Sequence, residues 1–301
     1  MAQISLTQAG PESGGNFEFH WAGDYIECHL LSDVGKKRGH NEDGCVVCAP
    51  EESRIATDKG YLFAVADGMG GVSGGEFASR LALQTLIDEY YSRQTSSIPI
   101  RLKEAVEQAN RRIFEEAENH PEYYGMGTTI SALLVHGENA YIAQVGDSRV
   151  YLLRPDSAIW QITDDHSLVA EQVRNGYISE EEARNHSLKN LITRAVGTKE
   201  AVKVDLFTTK LRKGDRLLIC SDGLSNVVDD AQMTKSLSGN SLQGGARMLV
   251  GRALEAGGPD NITAVVLEVT NLPPKTRLNE GATAVSGVST GFFGKFRKLF
   301  G

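Results

Sequence analysis

Short apolar runs recur along most of the chain, and their lengths predict strands. They lie at Tyr25–Ser32, Gly44–Ala49, Tyr61–Ala66, Thr129–Val135, Ala140–Val145, Val150–Leu153, Asp205–Thr209, Arg216–Cys220 and Ile262–Val269. Most are rich in Val, Ile, Leu and aromatic residues and stop at Gly, Asp or Asn, the punctuation of a strand end. Two longer stretches, Gly75–Tyr91 and Ile100–Ala117, have helical periodicity instead. In the second, which follows Pro99, Leu102, Ala105, Val106, Ala109, Ile113, Phe114 and Ala117 recur at helical spacing and leave a charged opposite face. Strand pairs joined by short turns, with the helices grouped apart, predict an α+β layered domain rather than a doubly wound sheet.

The pattern changes in three places. Residues 1–23 are polar and Gly-rich, without a cationic start or a continuous apolar segment, so they read as an extension and as neither a signal peptide nor a membrane span. From Asp165 to Thr198 the chain is polar and acid-rich, with Ser179-Glu180-Glu181-Glu182 reading as a helix start. After Thr270, Pro273-Pro274 ends the last strand, and a polar linker leads to Gly291-Phe292-Phe293-Gly294-Lys295-Phe296-Arg297-Lys298-Leu299-Phe300. Wound as a helix, that tail would collect its Phe and Leu on one face and its basic residues on the other, a pattern suited to docking on a partner protein or an anionic membrane surface. The resulting divisions are an extension over 1–23, a catalytic domain over 24–270, and a linker and tail over 271–301.

Composition narrows the function. The 301 residues hold 31 Lys and Arg against 39 Asp and Glu, a net charge of −8, which argues against nucleic acid as a partner. Only four cysteines are present, so no disulfide framework is expected and a cytoplasmic location fits. Cys45 and Cys48 form a Cys-x-x-Cys, but within a strand side chains three apart point to opposite faces, which favours core packing over zinc or redox chemistry.

The chemistry is carried by five acidic segments: Arg38-Gly39-His40-Asn41-Glu42-Asp43, Ala66-Asp67-Gly68-Met69-Gly70-Gly71, Gly146-Asp147-Ser148-Arg149, Ser221-Asp222-Gly223 and Gly258-Pro259-Asp260-Asn261. Each places a carboxylate at a strand end or Gly-containing turn, where it is exposed enough to ligate a hard cation. With Gly127-Thr128-Thr129, Thr163-Asp164-Asp165-His166-Ser167 and Leu191-Ile192-Thr193-Arg194-Ala195-Val196-Gly197, they resemble, in order, the motifs of the PP2C (PPM) metal-dependent protein phosphatases, particularly the compact bacterial members. The resemblance spans roughly Tyr25 to Thr270 and does not reach the tail.

That resemblance implies a four-layer α/β/β/α sandwich of two stacked antiparallel sheets flanked by helices, with residues 165–198 as a flap beside the active site. It implies hydrolysis of phosphoserine and phosphothreonine in proteins by a water bridging two Mn²⁺ or Mg²⁺ ions. Asp67 would bridge the ions, Glu42 and the carbonyl of Gly68 would complete one site, and Asp222 and Asp260 the other. Asp43 would act on a bound water from behind, and Asp147 with Asp222 would form a weaker third site. Arg38 suits a phosphate clamp, because its guanidinium is permanently charged and presents paired donors. Arg149 reads as a brace for its turn, and Asn261 as a residue that orients its loop.

Met69 stands where animal-type relatives carry a His that could protonate the leaving group, so that proton comes from a bound water or from a flap residue such as His166. Phosphoprotein substrates, a Ser/Thr kinase as counterpart and a monomeric state are expected. Two other readings stay open: hydrolysis of a small phosphoester at the same site, and an inactive phosphoprotein-binding module.

Overall fold

The structure is a computed structural model that describes residues 6–50, 58–93 and 97–272. Its strands form two sheets in which all pairings are antiparallel. The first runs in the order β1 (Leu6–Gly10), β4 (Asp43–Ala49), β5 (Tyr61–Met69), β7 (Ile130–His136), β8 (Asn139–Val145), β11 (Asp205–Lys210), with the two-residue β6 (Gly127–Thr128) against the end of β5. The second runs β10 (Trp160–Gln161), β9 (Arg149–Leu153), β12 (Arg216–Cys220), β13 (Ile262–Val269), β3 (Ile26–Asp33), β2 (Phe17–Ala22). Helices α1 (Val72–Ser92) and α2 (Ile98–Asn119) pack on the first sheet, and α6 (Asp230–Leu237) and α7 (Leu242–Glu255) on the second.

The period-2 alternation of each strand divides its side chains between two interiors. In β4, Val46 and Cys48 face α1 and α2, whereas Cys45 and Val47 face the other sheet. In β5, Leu62, Ala64 and Ala66 face the helices, while Phe63 and Val65 fill the layer between the sheets. A third apolar layer, including Leu218, Val266, Leu249 and Ala253, joins the second sheet to α6 and α7. Three apolar interiors between four layers give the α/β/β/α sandwich expected from the sequence. All four cysteines are free and buried, and Cys45 and Cys48 lie on opposite faces of β4.

Two elements differ from the sequence expectation. The segment read as a polar extension over 1–23 supplies an outer strand to each sheet: β1 pairs with β4 and β2 with β3. Only one face of β2 is covered, with Phe17, Phe19 and Trp21 packed on the middle layer and Glu18 and His20 outside. Half-buried edge strands of this kind carry a weak apolar signal. The helices α6 and α7 were not anticipated either, although Asp229 and Gln232 form a reciprocal capping box and Ser241 accepts the amide of Gly244.

The segment expected as a flap begins at Asp165 and carries two short helices, α3 (Leu168–Arg174) and α4 (Glu180–Arg184), the latter opened by the Ser179–Glu182 capping box. Single bridges, Ser167 to Ile192 and Thr128 to Val196, fasten its base. Helix α5 (Asp222–Ser225) is one turn long. Among the described residues no helix is long and apolar enough to cross a membrane. The tail, Gly291 to Phe300, lies outside the described residues.

Candidate metal centre

The acidic residues gather because two sheets end together. Asp43 and Asp67 are directly opposite each other on neighbouring strands β4 and β5. Asp147 lies in the turn from β8 to β9, Asp222 opens α5 just beyond β12, and Asp260 stands two residues before β13. Asp67 is held by its backbone: Thr129 donates its N–H to the Asp67 carbonyl at 2.9 Å, Thr128 Oγ1 donates to the same carbonyl at 2.8 Å, and Asp67 N–H reaches Thr129 Oγ1 at 2.9 Å. The Gly127-Thr128-Thr129 motif therefore fixes the strand end from which Asp67 projects.

Burial raises the proton affinity of four of these acids, Asp43, Asp67, Asp147 and Asp222. Burial, followed by the charges of Asp43, Asp222, Asp147 and Asp260, holds the Asp67 carboxyl well above the ordinary range. Burial is also the leading cause for Asp43, pushed to about 7, and for Asp147, pushed to about 8. Asp222 and Glu42 shift upward for the same reason. A set of carboxylates driven to take up protons by burial, and further by one another's charge, also suits divalent cations, which supply more charge than protons do.

Two buried oxygens sharpen the fit. Asp43 Oδ2 accepts from Ser221 Oγ at 2.7 Å and from Thr263 Oγ1 at 2.6 Å, whereas its Oδ1 is buried without a hydrogen-bond partner. Asp147 Oδ1 is likewise buried and unpartnered. Such atoms are costly in a folded interior unless an ion or water meets them. The donor set is all oxygen, which suits Mn²⁺ or Mg²⁺. Gly75 shapes the pocket around Glu42, since a Cβ there would stand 1.9 Å from Glu42 Oε2.

Among the described residues, no three His, Cys, Asp or Glu side chains are already drawn into a closed cage. Their present partners explain this. Asp260 accepts from Arg38 Nη2 at 2.8 Å and from the Asn261 N–H at 2.9 Å, and Asp222 accepts from Asn226 Nδ2 at 3.0 Å. Arg38, the expected phosphate clamp, thus lies beside Asp260 at the mouth of the cleft, with about half of its side chain exposed.

The remaining sequence candidates divide between cleft and scaffold. Asn261 accepts the Glu42 N–H at 2.8 Å and donates to the carbonyls of Val34 and His40, so it ties the Arg38–Asp43 segment to the Asp260 loop as expected. Arg149 donates to both oxygens of Asp165, at 3.0 Å from Nε and 2.7 Å from Nη2, and to Tyr151 Oη at 3.0 Å, so its role is structural as expected but it braces the entry to the flap rather than its own turn. His166 is 1% exposed and engaged with Gly146 and Asp205, which removes it as a donor to a leaving group in the open cleft. Ser221, Thr263 and Gln144 were missed. Ser221 and Thr263 flank recognised acids, but nothing in a single sequence marks a hydroxyl as a carboxylate's partner.

The family profile described as protein phosphatase 2C matches residues 43–248, more than half of the chain. The chain belongs to the protein phosphatase 2C family. It is 40% identical over 259 residues to the serine/threonine phosphatase stp of Listeria innocua, covering 84% of this chain and 99% of that one. The crystal structure of the Mycobacterium tuberculosis serine/threonine phosphatase PstP/Ppp superposes with a TM-score of 0.73 at 37% identity, covering 82% of this chain and 100% of that chain. The catalytic domain of PstP solved in complex with two manganese ions superposes with a TM-score of 0.71 at 38% identity, covering 82% and 99%. Family membership accounts for the order of the acidic motifs. The distances above show how this PP2C chain builds its own version of the cleft.

Proposed function

We propose that the chain is a metal-dependent serine/threonine protein phosphatase that hydrolyses phosphoserine and phosphothreonine in proteins. The observation that carries this is the convergence of Asp43, Asp67, Asp147, Asp222 and Asp260 on one cleft, the first four with raised proton affinities, and two unpartnered buried oxygens. Similarity to phosphatases named for serine and threonine supports the substrate class.

The residues that would hold two Mn²⁺ or Mg²⁺ ions are Asp67 between them, Glu42 and the Gly68 carbonyl on one side, and Asp222 and Asp260 on the other. Asp147 with Asp222 would hold a weaker third. When bound, such ions supply charge neutralisation and a water acidic enough to attack phosphorus near neutral pH. Arg38 can exchange its bond to Asp260 for two phosphoryl oxygens, a geometry its planar fork suits. Asp43 is oriented by Ser221 and Thr263, so that its free Oδ1 can take the proton of the attacking water. Met69, at the end of β5, has no proton to give, and buried His166 is out of reach. The leaving alkoxide therefore takes its proton from water in the cleft.

Phosphoproteins made by a Ser/Thr kinase are the proposed substrates, and the proposed state is a monomer working in the cytoplasm. The basic, Phe-rich tail is assigned to docking on a partner protein or an anionic membrane surface, which co-sedimentation with and without residues 292–301 would test. For catalysis, phosphate release from phosphothreonine, phosphoserine and phosphotyrosine peptides with Mn²⁺, Mg²⁺ or EDTA is the test. Metal-dependent release favouring phosphothreonine and phosphoserine is expected. Turnover of small phosphoesters alone would overturn the substrate assignment.

A further inference from the structure

We infer that Asp205 anchors a positioning junction in which His166 and Arg194 tie both ends of the flap to the turn that presents Asp147. Its effect on catalysis rests on the reading of Asp147 as a cation ligand; its structural content does not.

Asp205 opens β11, opposite Gln144 on β8. One of its oxygens, Oδ2, lies 3.0 Å from His166 Nε2 at the entry to the flap, and the other, Oδ1, lies 3.0 Å from Arg194 Nη1 near the exit. A single carboxylate therefore closes a loop of about thirty residues between its two ends, where loop-closure entropy opposes order. The Asp205 carboxyl is held well below the usual range, first by the His166 hydrogen bond and then by Arg194, so it stays charged.

His166 transmits this anchorage to the catalytic cleft. Its backbone N–H donates to the Gly146 carbonyl at 2.9 Å, and its ring Nδ1 accepts the Gly146 N–H at 3.0 Å. A nitrogen that accepts an amide hydrogen carries none, so the ring proton sits on Nε2 and points to Asp205. Arg194 Nη1 also approaches Nε2 at 2.9 Å, but with that nitrogen protonated the guanidinium hydrogen goes to Asp205. Both polar backbone groups of Gly146, the residue before Asp147, are thus used by one histidine.

The rest of the turn is equally committed. Gln144 Nε2 donates to the carbonyls of Gly146 at 3.2 Å and Ser148 at 2.6 Å, and Ser148 Oγ lies 2.7 Å from Thr129 Oγ1. Gly146 has φ +104°, and a Cβ there would meet Thr129 Cγ2 at 2.5 Å, so its own conformation is fixed as well. Every neighbour of Asp147 is fastened, while its Oδ1 is left buried and free. Displacement of the flap base at His166 therefore passes directly to Gly146, the residue before Asp147.

Two substitutions at His166 separate the links. The amide oxygen of Asn reaches the place of Nδ1, and the amide nitrogen of Gln that of Nε2. Hydrogen–deuterium exchange of the full chain should show residues 146–149 exchanging about tenfold faster in H166Q, which loses the bond to Gly146, and faster to a smaller and equal extent in H166N and D205A, which cut the same bond between ring and carboxylate. The flap exit, residues 193–196, should loosen in D205A, which alone removes the carboxylate partner of Arg194, and hold in H166N and H166Q. In calorimetric Mn²⁺ titrations, H166Q should weaken the weakest binding event about tenfold, with a smaller and equal loss in H166N and D205A, and all three should spare the tighter events. Unchanged exchange over 146–149 in both H166Q and D205A would overturn the junction. D147N is the control for the ligand reading: Mn²⁺ binding identical to wild type would remove Asp147 from the metal site, while the exchange data would still decide the junction.

Discussion

The layer between the two sheets and the flap beside the cleft are built on opposite principles. Between the sheets, Phe63, Val65, Leu133, Ile142, Leu217 and Val265 are all fully buried and hold one another by area alone. In the flap, Tyr177 is 78% exposed and Leu188 and Leu191 about half exposed, and order comes from polar contacts at the base. Those contacts are the Arg149–Asp165 fork, the bond from Arg174 Nη1 to the Asp165 carbonyl at 2.9 Å, and the His166–Asp205–Arg194 group. The difference teaches where precision comes from. Strand ends set on a packed double sheet hold carboxylates in place even though those carboxylates repel one another. A segment fastened chiefly at its base keeps a middle with little apolar burial to order it.

The largest break in this comparison should come from the sheets. Phe63→Ala empties a fully buried site in the middle layer and should cost about 3–5 kcal/mol. That corresponds to roughly 6–20 °C in the melting midpoint. A smaller shift in a thermal melt would mean that the layer collapses around the hole.

Next in size is Asp222→Asn, which should reduce Mn²⁺-dependent phosphate release by more than about a hundredfold, beyond the loss typical of an outer-shell partner. Because burial and the Asp260 charge already disfavour the Asp222 carboxylate, its melting midpoint in chelator should equal or exceed that of the parent. Retained turnover would remove Asp222 from the centre.

A third test uses pH in chelator. Asp43, at about 7, and Asp147, at about 8, stay protonated in the folded state after the unfolded chain has lost those protons near pH 4. The folded state thus binds more protons over that interval, and stability from these groups falls as pH rises from about 4 to 8. Asp205 and Glu18, held low by His166 and Arg247 respectively, act in the opposite sense. Their contribution is present above pH 4 and is lost toward pH 2. Urea midpoints across this range should decline from pH 4 to 8 without metal and flatten with Mn²⁺; a rise over that interval would contradict the crowding of the acids.

The smallest effect belongs to the flap. Leu188→Ala and Tyr177→Ala remove exposed side chains and should change stability by no more than about 0.5 kcal/mol. Among the described residues, trypsin should cut first after Arg184 or Lys189, both exposed, and mass spectrometry of the first fragments would show it.

Much of the sandwich was legible because buried strands need apolar residues on both faces. Runs such as Tyr61–Ala66 and Arg216–Cys220 therefore stand out from their surroundings. Strands β1 and β2 escaped notice because an outer strand needs apolar residues on only one side, and the polar alternates mask them. The cleft acids were legible as ordered motifs at strand ends. Their helpers were not: Ser221 and Thr263 reach Asp43 from 178 and 220 residues away.

The sequence by itself determined the central strands, the helices α1 and α2, the opposite facing of Cys45 and Cys48, and the family's ordered acids, because local periodicity and turn chemistry fix these. Only the tertiary structure decided that Asp43 faces Asp67, that Arg38 rests on Asp260, and that one carboxylate, Asp205, fastens both ends of the flap beside Asp147. Those relations depend on which strands become neighbours, and pairing across hundreds of residues is settled by burial of whole layers rather than by any local signal.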